Sequence, residues 1–162
     1  MIEHPFEALY NSDSKILILG SFPSVKSREE NFFYGHPQNR FWRVTSSLLS
    51  EPVPLTIPEK KKFLLKNNIA LWDVIKSCEI ENSSDSSIKN VTPNDLNIIL
   101  ETSDIKMIFT NGKTADKYYK KFQFMKTNIE AVCLPSTSPA NAAFGMERLL
   151  NEWRIILEYL NR

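Results

Sequence analysis

Residues 15–24 read Lys15-Ile16-Leu17-Ile18-Leu19-Gly20-Ser21-Phe22-Pro23-Ser24, and this stretch decides the fold. The segment Lys15–Leu19 is a short apolar run that breaks at Gly20 into small, stiff residues. Such a run, bounded by turn signals, reads as a strand buried on both faces, the habit of parallel sheets. Gly20 lets a neighbour approach the backbone closely, and Pro23 stiffens the turn. The same reading applies to Ile69–Trp72 and Ile105–Thr110, and more weakly to Ala131–Leu134.

Helical spacing fills the gaps between these runs. Phe41, Val44, Thr45, Leu48 and Leu49 recur at helical intervals, and Pro58-Glu59 opens a second helix with Phe63 and Leu64 on its apolar side. Thr92-Pro93-Asn94-Asp95 carries helix-start signals: a capping hydroxyl, a proline at the first position and an acid three residues after the cap. The last helix places Leu149, Leu150, Trp153, Ile156, Leu157 and Leu160 on one stripe. Strand–helix alternation predicts an α/β fold, a parallel sheet covered by helices on both faces. Sites in such a sheet gather at loops leaving the carboxyl ends of strands. The serine-rich stretch Glu79–Asn90 reads as a polar loop within one domain spanning residues 1–162.

Composition narrows the function classes. The chain has 162 residues, 42% of them apolar, with 20 Lys plus Arg against 19 Asp plus Glu. A net charge of +1 gives no global pull toward nucleic acid, so any DNA-binding field must come from segregated charge. Cys78 and Cys133 are too few for a cysteine-ligated iron–sulfur cluster and read as two buried thiols in a reducing compartment. No stretch approaches the ~18 apolar residues of a membrane span, and no signal-peptide pattern opens the chain. The expected location is the cytoplasm, with no membrane partner.

Five loops hold the candidate chemistry. Gly20–Ser24 is either a tight connection or a pocket wall. Tyr34-Gly35-His36-Pro37-Gln38-Asn39-Arg40-Phe41-Trp42 sets aromatics beside basic and amide groups, which suits a flipped base and its flanking phosphates. Within it, Asn39 equally reads as a cap for the following helix, and His36 as a structural side chain. Asp73, at a strand's carboxyl end, would accept from a base N–H or serve as a cap. Asn111-Gly112-Lys113 is too short for a P-loop but would offer donors at a helix start. The lysines after it equally form a solvated face. Leu134-Pro135-Ser136-Thr137-Ser138-Pro139-Ala140-Asn141 is a stiff polar loop that would lean on a DNA strand or cap the final helix.

The order of these loops resembles the uracil-DNA glycosylase superfamily. The run His36-Pro37-Gln38-Asn39-Arg40-Phe41-Trp42 is similar to mismatch-specific uracil/thymine glycosylases. Together with Gly20-Ser21-Phe22-Pro23 and Ala70-Leu71-Trp72-Asp73-Val74-Ile75 before Cys78-Glu79, it looks most like the deoxyinosine (hypoxanthine) branch. The resemblance implies a three-layer α/β/α sandwich with a short, mainly parallel four-stranded sheet and a pocket for a flipped base at the strand carboxyl ends. It implies that Gly20, Ser21, Phe22 and Pro23 wall that pocket and hold the catalytic water. Tyr34 would stack on the base, with His36, Asp73 and Asn111 completing the base-binding set. Ser24, Arg40, Lys113, Pro135, Ser136, Thr137 and Ser138 would meet DNA, the Leu134–Ser138 loop pressing into the duplex.

Departures from the family pattern narrow the substrate. Phe22 stands where uracil-removing relatives carry Asp or Asn, and a phenyl ring cannot orient water. Asp73 replaces an asparagine that reads uracil, and Leu134 replaces a histidine. The polar duty passes to Asn39, as in the deoxyinosine branch, which would place the attacking water through its side-chain carbonyl. The implied activity is hydrolysis of the N-glycosidic bond of a deaminated base in DNA, hypoxanthine before uracil or xanthine. No metal or cofactor is expected, and the expected state is a monomer. The rivals are a mismatch-specific uracil glycosylase and an inactive DNA-binding module of the same fold.

Overall fold

The computed structural model describes residues 1–161. Its centre is β2 (Ile16–Gly20), every residue of which is buried. Parallel neighbours flank it, β3 (Ile69–Asp73) on one side and β6 (Met107–Asn111) on the other, with β7 (Ala131–Leu134) beyond β6. The order β3-β2-β6-β7 is the four-stranded parallel sheet that the apolar runs predicted.

Alternation along the strands divides the core. Ile16, Ile18, Ile69, Leu71 and Phe109 face one layer of helices: α2 (Phe41–Leu48), α3 (Ile57–Lys66), α7 (Met146–Trp153) and α8 (Ile156–Tyr159). Trp153, fully buried, meets Phe41 edge-on at 5.9 Å. Leu17, Leu19, Ala70 and Ile108 face the opposite layer, which holds α4 (Asn97–Thr102) and α5 (Lys113–Phe122), followed by the short α6 (Phe124–Thr127). A further short helix, α1 (Val25–Glu30), follows β2 and is capped by the Ser24 side chain. Helix α3 carries a full capping box, Thr56 and Glu59 satisfying each other's backbone N–H groups.

The second layer also contains a sheet that the sequence did not announce. β1 (Ile2–Glu3), β4 (Ile75–Glu79) and β5 (Lys89–Pro93) pair antiparallel in the order β1-β4-β5. The helix start expected at Thr92-Pro93 is therefore corrected: Thr92 pairs with Ser77, and α4 begins only at Asn97, whose N–H is taken by Asp95. Asn94 explains the delay. Its buried amide donates to the carbonyls of Asp73 and Ile75, which holds this segment extended against β4. The serine-rich stretch likewise contains a 3₁₀ turn, Asp85–Ser87, and its last two residues begin β5. The final helical stripe is broken into α7 and α8. Cys78 is buried as expected, but Cys133 is exposed, and both are free thiols.

β3 and β4 belong to different sheets with only Val74 between them. The Val74 N–H donates to the Gly20 carbonyl at 2.8 Å, and the Ile75 N–H to the Ser21 carbonyl at 3.1 Å. Gln123 donates to the Val74 and Asn94 carbonyls from behind. The chain thus turns from one sheet into the other beside the carboxyl end of β2.

Candidate active site

Gly20 lies opposite Asp73 in the β2–β3 pairing, and Asn111 opposite Leu134 in the β6–β7 pairing. Four strands therefore deliver their carboxyl ends to one edge, where the loops that leave them enclose a cavity of about 340 Å³. That size lies at the small end of ligand pockets. Every residue expected at the site lines it except Arg40, Lys113 and Pro135.

The cavity floor is tightly fitted. A methyl group on Gly20 would come within 2.4 Å of Asp73 Oδ1, so only glycine permits this approach. Asp73 is 4% exposed. Its Oδ2 receives Nε2 of His4 at 2.7 Å, and both side chains are almost wholly out of solvent. The Phe6 N–H points at Nδ1 of the same ring at 3.4 Å. Nδ1 is thus the acceptor, and the imidazole proton sits on Nε2, where it is donated to the carboxylate. Phe6 and Phe22 meet the His4 ring edge-on.

Tyr34 forms one wall in a left-handed backbone conformation (φ 51°). One face of its ring stacks on Phe41 at 4.3 Å, and the Trp42 indole N–H holds its carbonyl. Its hydroxyl is buried, with the Asn111 side chain as its hydrogen-bonding neighbour. Desolvation, joined by the Asp73 charge, pushes its pKa far above the usual phenol range. Phe22, 8% exposed, contributes an apolar face beneath the Arg28 guanidinium. His36 Nδ1 accepts the Gln38 N–H, so this ring is tied into its own turn.

Asn39 is held from two sides. Its Oδ1 accepts the Phe41 N–H and the Thr137 hydroxyl, each at 2.9 Å. A carbonyl oxygen has two lone pairs, so the expectation that this oxygen places the attacking water is corrected: both directions are occupied. Nδ2 has no protein hydrogen-bond partner among the described residues, and it is the polar end of Asn39 left to the cavity. Asn39 lies one residue before the N-cap of α2, Arg40, and bonds the first helical N–H from there while also lining the cavity.

Thr137 was expected to touch DNA and instead joins the loops. It is fully buried; its hydroxyl links Asn39 to Asn111 Nδ2, and its N–H donates to Asn111 Oδ1. Arg40, half-buried, likewise bonds within the protein. Its guanidinium donates to the carbonyls of Phe144, Asn141 and Ser138, fixing the following loop from within. The Pro135 carbonyl accepts the Trp153 indole N–H, while Ser136 and Ser138 brace the loop through local bonds and still line the cavity. Lys113 is exposed at the start of α5, outside the lining.

Two contributions escaped the sequence reading. His4 belongs to no motif and meets its partner 69 residues away, a distance that no local pattern reveals. The serine-rich stretch supplies the far rim through Ser83, Ser84, Asp85 and Ser86. Asp85 Oδ1 receives the Ser21 hydroxyl at 3.4 Å. Desolvation raises its pKa against the pull of the Thr114 and Ser21 hydroxyls, and the Asp73 charge adds to the rise. Polar loop composition was the one available sign of this rim, and it fits any surface loop equally well.

Comparison with known proteins places these features in a family. The family model for the uracil DNA glycosylase superfamily matches residues 7–160. A curated relative from Methanosarcina acetivorans, named hypoxanthine DNA glycosylase, is 36% identical over 161 residues, covering 98% of this chain and 100% of its own. One of the same name from Methanosarcina barkeri is 32% identical over 143 residues, covering 87% of this chain and 89% of its own. A solution NMR structure of a candidate uracil DNA glycosylase from M. acetivorans superposes with a TM-score of 0.85 at 34% identity, covering both chains completely.

Proposed function

The chain belongs to the uracil DNA glycosylase superfamily, and from that premise we propose that it hydrolyses the N-glycosidic bond of a deaminated base in DNA, with hypoxanthine preferred over uracil and xanthine. One observation carries the reading: a buried carboxylate, Asp73, at the floor of a cavity of about 340 Å³ walled by a stacked tyrosine. The two relatives named for hypoxanthine support the choice of base.

The target nucleotide leaves the stack and enters the cavity beside Tyr34. Asp73 accepts the N1–H of hypoxanthine, and Asn111 donates its remaining amide proton to O6 or N7. Asn39 Nδ2 donates to the oxygen of the attacking water, which keeps a lone pair for C1′. An amide has no useful basicity, so its service is placement. The C1′–N9 bond breaks with its electrons passing to the base, and water closes on the oxocarbenium-like sugar as one of its protons passes through solvent to the departing base. Among the described residues no lysine lines the cavity, which supports a hydrolytic outcome over Schiff-base chemistry.

The test is release of base from duplexes carrying hypoxanthine, uracil or xanthine, followed by alkali and gel analysis. Hypoxanthine should be removed fastest. Faster removal of uracil opposite every partner base would make this a uracil enzyme, and no removal from any duplex would leave a binding module.

A further inference from the structure

Resting on that reading, we propose that His4 is a positioning residue: it clamps Asp73 Oδ2 so that Oδ1 is presented to the cavity as a fixed acceptor, and the pair thereby selects bases bearing a ring N–H. The geometry has three parts. Nε2–H of His4 reaches Oδ2 at 2.7 Å. The Phe6 N–H at Nδ1 and the rings of Phe6 and Phe22 fix both the tautomer and the tilt of the imidazole. The other carboxylate oxygen is packed against the bare Cα of Gly20, at the strand end that opens into the cavity. A carboxylate held at one oxygen is restrained in rotation, so what the cavity meets is set by His4.

The chemistry read by such an acceptor is the one that deamination creates. Adenine and cytosine each present a bare ring nitrogen on their pairing edge. Their deamination products, hypoxanthine and uracil, present an N–H there instead. A fixed acceptor bonds the second and repels the lone pair of the first. Guanine carries the same N–H, so its exclusion falls to other contacts.

The clamp makes an unusual prediction about Asp73→Asn. His4 can only donate from Nε2, so it must draw the amide oxygen toward itself and turn the amide NH₂ into the cavity. The acceptor becomes a donor, and preference should shift from hypoxanthine toward unsubstituted purine, which has a bare N1. Single-turnover rates on duplexes carrying hypoxanthine or purine test this as a ratio. The intrinsic leaving ability of the two bases cancels when ratios are compared between variants. The hypoxanthine-to-purine ratio should fall about 10–100-fold in Asp73→Asn, the range expected for one mismatched buried hydrogen bond. It should recover part of that loss in His4→Ala/Asp73→Asn, where the amide is free to flip.

His4→Ala alone should lower the ratio about tenfold, and His4→Gln, which keeps a donor, should restore most of it. A merely structural histidine would lower both rates together and leave every ratio unchanged, which overturns the inference while the glycosylase reading stands. A wild-type protein that releases neither base overturns both.

Discussion

The hydroxyl of Thr137 donates to Oδ1 of Asn39 at 2.9 Å across 98 residues of sequence, joining the loop after β7 to the start of α2. With the Phe41 N–H on the same oxygen, Asn39 enters the site with its orientation already decided.

Substitutions at Asn39 should therefore separate two roles. Asn39→Ala removes both accepted bonds and should cost about 1 kcal/mol of stability, together with about 10²–10³ in turnover. Asn39→Asp keeps the acceptor and removes the N–H. It should melt close to wild type yet lose comparable activity. Thermal melts beside single-turnover kinetics read both, and an active Asn39→Asp would return the water to the carbonyl side.

Gly20→Ala should disturb the floor selectively. The added methyl collides with Asp73 Oδ1, and that carboxylate is restrained from swinging away because His4 holds its other oxygen. Overpacking of this kind costs about 1–3 kcal/mol. Hypoxanthine release should fall by more than the melting temperature alone would explain, as measured at a temperature where the variant is fully folded.

DNA affinity should fall with salt even at a net charge of +1. Each phosphate contact adds about −0.9 to the log–log slope on duplex DNA. Lys113→Ala, removing an exposed cation beside the site, should make the slope shallower by about one such step. Arg40→Ala should leave the slope unchanged and lower stability, since its guanidinium is engaged with loop carbonyls. Fluorescence titrations over a salt series check both.

The pH dependence of stability should show the raised pKa of Asp85. Folding favours its protonated form, so its stabilising contribution is full below the unfolded carboxylate pKa and is lost as pH rises through the folded value. Asp85 is exposed, so solvent screens much of this effect, and at neutral pH Asp85→Asn should melt no more than slightly higher than wild type. The gain should shrink to nothing in acid. An equal gain at every pH would show that desolvation of the charge is not its cause.

The parallel sheet was legible because β2, β3 and β6 are short, mostly apolar and followed by turn residues, a pattern set by burial on both faces. The site loops were legible through their order along the chain. β1, β4 and β5 were not, because β4 and β5 are half exposed and polar, and register shifts interrupt their pairing. Pro93 gave a helix signal that Asn94 overrules through tertiary hydrogen bonds to Asp73 and Ile75. Arg40 and Thr137 read as DNA contacts because charge and hydroxyls announce a polar partner without saying whether it is phosphate or the protein's own backbone. His4 was invisible for a related reason: a lone histidine near other aromatics gives no sign of a carboxylate on a distant strand.

The junction at Val74 also determines where the protein can yield. Its N–H and carbonyl, and the N–H of Ile75, are bonded to Gly20 and Ser21 on one side and Asn94 and Gln123 on the other, so the cavity floor is anchored to both sheets. Among the described residues the rim has no such anchoring to the sheets: there Ser83–Ser87 and Pro139–Asn141 run as single 3₁₀ turns and bends. If Asp73 reads the base as proposed, accommodation of a larger or smaller lesion would fall to this rim and to bending of the duplex, while the geometry at the carboxylate would stay constant from one substrate to the next.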